Sequence, residues 1–279
     1  MLRRCIRYIN NIKTIKIIKR KYYVFCKYFD YIPTNNIVYF YYFSNSKKNN
    51  IIDEQLKYLS TITYLKSHFN KNITDQGLKY LPNLTYLNLW ENLNITDEGL
   101  KYLPNLTNLY LEHNTNITDE GLKYLPNLTK LKLNSNLNIT DEGLKYLPNL
   151  TCLHLYHNTN ITDEGLKYLP NLTELFCYDN INITDRGLKY LPNLTNLHLV
   201  KNKKITDVGL QHLSNLTSLS LESNNKITNE GLKHLIKITY IGLYLNSYVT
   251  FEELKKYLPK LKWFNWEKKF TIKCLNLRN

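Results

Sequence analysis

The side chains of this sequence best suited to chemistry are paired carboxylates. An Asp–Glu step occurs at Asp97–Glu98, Asp119–Glu120, Asp141–Glu142 and Asp163–Glu164. Two neighbouring carboxylates in unlike surroundings can divide the work of general acid and general base. Here the pair returns each time inside the same phrase, I-T-D-E-G-L. Catalysis needs one unlike constellation, so a pair reused at a fixed interval is a local structural solution. No G-x-G-x-x-G, P-loop, H-E-x-x-H or G-x-S-x-G pattern is present. The sequence therefore predicts no enzyme and no cofactor.

Other reactive types give the same answer. Of the seven histidines, His154 and His198 share a column of the repeat but stand two repeats apart. That is ~10 Å at strand spacing, too far for one metal ion. The five cysteines, Cys5, Cys26, Cys152, Cys177 and Cys274, are odd in number and show no C-x-x-C spacing, which argues for a reducing compartment. Thirteen N-x-T sequons are a by-product of the phrases N-I-T and N-L-T. Equivalent residues of stacked repeats lie ~4.8 Å apart, too close for a glycan on each. Tyr80, Tyr102, Tyr124, Tyr146, Tyr168 and Tyr190 recur on the helical half of the repeat, where they are expected to pack side by side along the helices.

The elements that position these residues follow from the interval. From Ile73 to Tyr248 the chain repeats every 22 residues without insertion or deletion. A degenerate repeat starts at Ile51, and another, one residue longer, starts at Val249. Such a period predicts a solenoid whose repeats bury their apolar faces only against neighbours. The second half of each repeat reads L-x-x-L-x-L-x-x-N, as in Leu84, Leu87, Leu89 and Asn92. Its period of two is a short strand with one face buried. The closing asparagine recurs as Asn92, Asn114, Asn136, Asn158, Asn180, Asn202, Asn224 and Asn246. An amide both donates and accepts, so this column is read as a ladder that satisfies backbone groups in the bend. In the first half, Thr96 is the expected helix N-cap, Asp97 and Glu98 suit the first turn, and Pro104 stops the helix.

The pairing of L-x-x-L-x-L-x-x-N with I-T-D-E-G-L resembles the leucine-rich repeat superfamily. The I-T-D-x-G-L phrase is similar to the repeats of F-box and leucine-rich repeat proteins, with shorter repeats here and Asn where cysteine is usual. The resemblance implies an α/β solenoid, a curved horseshoe with parallel strands on the concave face and short helices on the convex face. The near-identical repeats and the Asn-, Lys-, Ile- and Tyr-rich composition also resemble leucine-rich repeat proteins of giant amoeba-infecting DNA viruses.

The expected organisation has three segments. Residues 1–50 hold eleven Lys or Arg and only one acid, Asp30, while the rest of the chain is nearly balanced within a total of +14. Residues 51–269 are an array of ten repeats, and residues 270–279 a C-terminal cap or tail. Within the basic segment, Ile15, Ile18, Tyr22, Phe25 and Phe29 fall at helical spacing, so a helix is read over 15–29. Its roles are a cap on the first repeat, or contact with membrane or nucleic acid. No apolar run is long enough to cross a membrane, and the lysines break every candidate signal core. The expected compartment is the cytoplasm, of the host cell if the protein is viral, and the expected state a monomer.

Positions that vary between repeats are where specificity can be written. On the strands they include Trp90, Tyr110, Glu112, Lys132, His154, Tyr156, Phe176, Tyr178 and His198. Aromatic residues of mixed company suit a protein partner, whereas a basic stripe for nucleic acid is missing. The function read from the sequence is a non-catalytic scaffold that binds a protein on its concave face, with these rings facing solvent. Two alternatives are a substrate-recognition subunit of a ubiquitin ligase, implied by the F-box resemblance, and an unrecognised enzyme.

Overall fold

A computed structural model describes residues 51–67, 69–246 and 248–265, together with the strand segments 17–18, 21–24, 37–42 and 273–274. The chain divides into two compact units, an N-terminal one, Met1–Leu128, and a C-terminal one, Thr129–Asn279, built on the same plan.

The N-terminal unit holds strands β1 (Ile17–Ile18), β2 (Lys21–Val24), β3 (Ile37–Tyr42), β4 (Tyr64–Ser67), β5 (Tyr86–Asn88) and β6 (Asn108–Tyr110). β1 and β2 pair antiparallel; β2 through β6 pair in parallel, each with the next. The C-terminal unit holds β7 (Lys130–Lys132), β8 (Cys152–Tyr156), β9 (Glu174–Tyr178), β10 (Asn196–Val200), β11 (Ser218–Glu222), β12 (Tyr240–Tyr244), β13 (Trp263–Asn265) and β14 (Lys273–Cys274). β7 through β13 are parallel in sequence order, and β14 turns back antiparallel on β13. The register is one repeat per strand: Leu153, Leu175, Leu197, Leu219 and Ile241 lie side by side.

The helical reading of residues 15–29 is corrected where that segment is described. Ile17–Ile18 and Lys21–Val24 are strands, as is the run Ile-Val-Tyr-Phe-Tyr-Tyr from Ile37 to Tyr42. β-branched and aromatic residues favour extended backbone, and a sheet edge at β4 offers them a ladder to join. The rest of residues 1–50, and the tail expected over 270–279 apart from Lys273–Cys274, lie outside the described residues.

Each repeat between Thr74 and Leu232 folds alike. A helix of four residues, such as Asp97–Leu100, starts behind an extended threonine whose hydroxyl accepts from the second helical N–H. Ile95, Leu100, Leu103, Leu106, Leu109 and Leu111 are fully buried, so one repeat contributes six apolar side chains to the core. The final helix, Phe251–Tyr257, is longer because its repeat carries one extra residue and no glycine.

Two columns of polar side chains tie each repeat to the one before. The ladder asparagines are buried. Asn158 donates to the Asn136 carbonyl at 2.5 Å and accepts from the N–H groups of Asn160 at 3.1 Å and Ile161 at 3.0 Å. Asn92, Asn180 and Asn202 repeat that pattern, and Asn114 donates to the Asn92 carbonyl. Asn136 accepts from Asn138 and Ile139. Asn246 donates to the Asn224 carbonyl at 2.7 Å, while the Asn224 amide nitrogen is buried without a partner among the described residues. The residue before each ladder asparagine sits in the left-handed region, for example His157 at φ 49° and Asp179 at φ 51°. No glycine serves there. Bonds made by the following asparagine hold a conformation that costs an L residue roughly 1–2 kcal/mol.

The second column is the aspartate of I-T-D. Asp75 accepts from the Thr96 N–H and the Thr96 hydroxyl, both at 2.8 Å, one repeat ahead. Asp141 clamps Thr162 at 2.8 and 2.6 Å, and Asp163 clamps Thr184 likewise. The same carboxylate explains the repeated glycine. A Cβ on Gly165 would stand 2.2 Å from Asp141 Oδ1, so glycine is needed for space and not for an unusual φ. At the end of the series Asn229 replaces aspartate. Its oxygen accepts from the Thr250 N–H at 3.1 Å, and its nitrogen donates to the Thr250 hydroxyl at 3.3 Å.

Candidate partner-binding face

One face of each sheet packs its leucines on the core, and the other carries the variable residues. In the N-terminal unit Tyr64 and Tyr86 stack at 3.8 Å, and Tyr110 meets Tyr86 edge-on at 4.9 Å. Burial pushes the Tyr86 hydroxyl up to about 12. Trp90 lies 5.4 Å from Phe69, a left-handed residue. Glu112 is half-buried, and its carbonyl accepts from the Glu91 N–H at 3.1 Å.

Across the strands of the C-terminal unit run two rows of rings. His154, Phe176 and His198 form one stack, with centroids 4.0 and 4.3 Å apart and planes within 14°. Tyr156 and Tyr178 form the other, at 4.0 Å. Beyond the strand ends, His157 meets both tyrosines edge-on and lies 3.3 Å from Asp179 through Nδ1. Lys201 Nζ stands 5.4 Å from the Tyr178 centroid, within cation–π range. Lys132 pairs in register with His154 and is half-buried.

The rings are therefore less open than the sequence implies. Only Trp90, at 37%, and Tyr156, at 41%, are exposed; Tyr110, His154, Phe176, Tyr178 and His198 are half-buried against their neighbours. Stacking at strand spacing is the cause, because rings in adjacent repeats cover one another's faces. The sequence reading also overlooked the left-handed column. Phe69, His157, Asp179 and Lys201 vary between repeats and extend the face, a signal present in the residue before every ladder asparagine.

Neighbouring polar groups are tuned for structure. His154 Nε2 is buried without a hydrogen-bond partner among the described residues. Burial first, then the charges of Lys132 and Lys130 and of His198, push its imidazole down to about 3. Burial also lowers His198. The thiols are pushed up by burial, Cys152 to about 11 and Cys177 to about 12, so both are unreactive core groups. His154 and His198 lie on opposite faces of Phe176, and among the described residues no three His, Cys, Asp or Glu could share a metal.

A stability prediction follows from His154. Its folded value lies below the ordinary 6.5, so its contribution is intact above about pH 6.5 and is lost as pH falls towards 3. Thermal melts at pH 7 and pH 4 should show a smaller acid loss for His154→Phe than for the parent. The expected difference is about 1–3 kcal/mol, discounted for the fraction of the ring that water reaches. Equal losses in both proteins would contradict the buried neutral imidazole.

The tyrosine rings of the helix side are met by lysines. Lysine ammonium groups lie over the rings, Lys145 over Tyr146 and Lys167 over Tyr168, at 5.2 and 5.4 Å. Lys167 also pairs with Glu164 at 2.6 Å, one of several exposed pairs worth little singly. The sequon amides are engaged as well: Asn105 donates to Pro82, and Asn171 to Pro148. No described helix is long and apolar enough to cross a membrane.

Comparison with known proteins agrees with this architecture. The model of the family described as Leucine Rich repeat matches residues 80–103, 102–125, 124–147, 146–169, 190–214 and 212–235. No curated protein sequence matches. The solved internalin InlF of Listeria monocytogenes is 32% identical over 77% of this chain and 69% of its own, with a TM-score of 0.57. Internalin C2 of the same organism is 28% identical over 77% and 92%, with a TM-score of 0.57. A leucine-rich repeat protein of Leptospira interrogans is 26% identical over 76% and 62%, with a TM-score of 0.56. Proteins of this kind are in general binding scaffolds and not enzymes. With its 22-residue register, buried leucine columns and asparagine ladder, the chain belongs to the leucine-rich repeat superfamily.

Proposed function

We propose that this protein is a non-catalytic scaffold that holds a protein partner on the ring-bearing face of its sheet. The observation that carries the reading is the pair of stacks in the C-terminal unit, His154–Phe176–His198 and Tyr156–Tyr178. The repeated positions are all spent on the scaffold, in leucine columns, asparagine ladder and aspartate clamps. The rings stand where the repeat is free to vary. Tyrosine and tryptophan presented on a rigid surface, with charges of both signs around them, favour protein recognition. Glu112 and Trp90 offer a similar surface in the N-terminal unit. The protein acts as a monomer in the cytoplasm, a placement supported by buried free thiols at Cys152 and Cys177. The basic segment 1–50 contributes a cap or a second contact.

Pull-down with the whole chain tests this. The parent should retain a protein that the Phe176→Ala/Tyr178→Ala variant releases, while Tyr146→Ala retains it. Recovery of adaptor and cullin subunits through residues 1–50 would reassign the chain to a ubiquitin ligase. Retention of the same proteins by all variants would contradict the assignment to this face.

A further inference from the structure

The ring row His154–Phe176–His198 stops on β10, and the next places in it are small. His198 has Phe176 on one face at 4.3 Å, and among the described residues no other ring meets it. Ser220 and Gly242 follow in register on β11 and β12. The Tyr240 phenol lies over Gly242: a Cβ there would stand 3.1 Å from its hydroxyl oxygen and 3.4 Å from Ser220 Oγ. The result is a notch floored by Ser220, with the second face of His198 on one side and the Tyr240 hydroxyl on the other. Two residues along β11, on the same face of the sheet, stands Glu222. It is half-buried, and its carboxylate makes no ion pair among the described residues. Glu174, diagonally across on β9, adds its negative charge beside the His198 ring. The cation at the end of β10, Lys201, stands by Tyr178 instead. Burial holds His198 below its ordinary value, so its ring is neutral at neutral pH and does not repel a cation.

We propose that this notch takes an arginine side chain of the partner protein, its guanidinium laid on His198 and bonded to Glu222. The inference rests on the reading that this face binds a protein. A guanidinium is planar, so it stacks on a ring as Phe176 does on the other side, while its N–H edges donate to a carboxylate in the same plane. The hydroxyls of Ser220 and Tyr240 are further acceptors beside it. Lysine brings the charge but no plane to lay on the ring. An aromatic side chain would cover His198 yet leave the half-buried Glu222 carboxylate without a partner. Glu222 and Glu174 repel an acidic segment and a phosphate chain alike, and the same charges attract a cation.

Nuclear magnetic resonance of the full chain with isotope-labelled histidine provides the test, because the His198 ring itself reports. The probe is the blocked peptide Gly-Ser-Arg-Ser-Gly, and the His198 signal is assigned by its loss in His198→Phe. Millimolar peptide should shift that signal to saturation. Replacing the peptide's arginine by citrulline, which keeps the plane and loses the charge, or by lysine, which does the reverse, should weaken binding at least threefold. Glu222→Gln should weaken it as much with an unchanged melting curve, and Ser220→Trp, which fills the notch with the protein's own ring, should remove the shift. An unmoved His198 signal at millimolar peptide, equal binding of the lysine or citrulline peptide, equal binding by Glu222→Gln, or tighter binding of a Gly-Ser-Trp-Ser-Gly peptide or of octathymidylate would each overturn the proposal. The partner recovered by pull-down separates the two readings. Release by Phe176→Ala/Tyr178→Ala with retention by Glu222→Gln and Ser220→Trp leaves the face in place and removes this inference; retention by all three removes the face as well.

Discussion

Deleting eleven residues, 161–171, is expected to unfold the C-terminal unit of the chain, whereas deleting the whole repeat 161–182 should leave it folded and one repeat shorter. The half deletion removes Thr162, which Asp141 clamps, and Ile161, whose N–H Asn158 accepts. It also joins the end of β8 to the start of β9 with no helix between them. The whole deletion joins residue 160 to residue 183 and restores each contact in register. Its stability should fall by about one repeat's share of nearest-neighbour energy, as in any solenoid. Circular dichroism and thermal melting of both chains check this. A half deletion that keeps the secondary-structure signal and melting temperature of the whole deletion would contradict the one-dimensional account.

Gly165→Ala is expected to destabilise the fold by about 2–4 kcal/mol, against the helix propensity of alanine, which alone would favour it by ~1 kcal/mol. The sign is decided by space. The new methyl would meet Asp141 Oδ1 at 2.2 Å and Leu144 Cδ1 at 3.1 Å. The carboxylate must then leave the Thr162 N–H and hydroxyl, and charge-assisted bonds of this type contribute about 1.5–3 kcal/mol each. Urea melts should show that Asp141→Ala alone is also costly and that the double variant loses less than the sum. A stabilised Gly165→Ala would show that the glycine is not held by the clamp.

The scaffold was legible in the sequence because its residues obey a period. Leucine at period two gives the strands, and Thr96, Asp97 and Pro104 mark the ends of a helix. The ladder asparagines stand out because they recur at one position. Which carbonyl of the preceding repeat each asparagine bonds could not be read, nor the second task of Asp97, which clamps Thr118 at 2.8 and 2.7 Å besides opening its helix. That contact joins residues 21 apart and exists only once two repeats are stacked. The reason for Gly165 stayed hidden on the same ground. The face was legible as a set of variable positions. Its geometry was not, because whether Phe176 lies flat between His154 and His198 depends on ring planes that spacing does not fix. The basic N-terminal segment misled where its apolar residues happened to fall at helical spacing while Lys21–Val24 forms a strand.

The measurement that most directly tests the account is the affinity of the isolated partner for two variants, recorded with their melting temperatures. Phe176→Ala truncates the centre of the His154–Phe176–His198 stack; Tyr168→Ala truncates a ring under Lys167 on the helix side. Phe176→Ala should cost at least ~2 kcal/mol of binding, about thirtyfold, while Tyr168→Ala leaves affinity within threefold and lowers only the melting temperature. Unchanged affinity in a folded Phe176→Ala protein, or equal losses in both, would show that the ring face does not hold the partner.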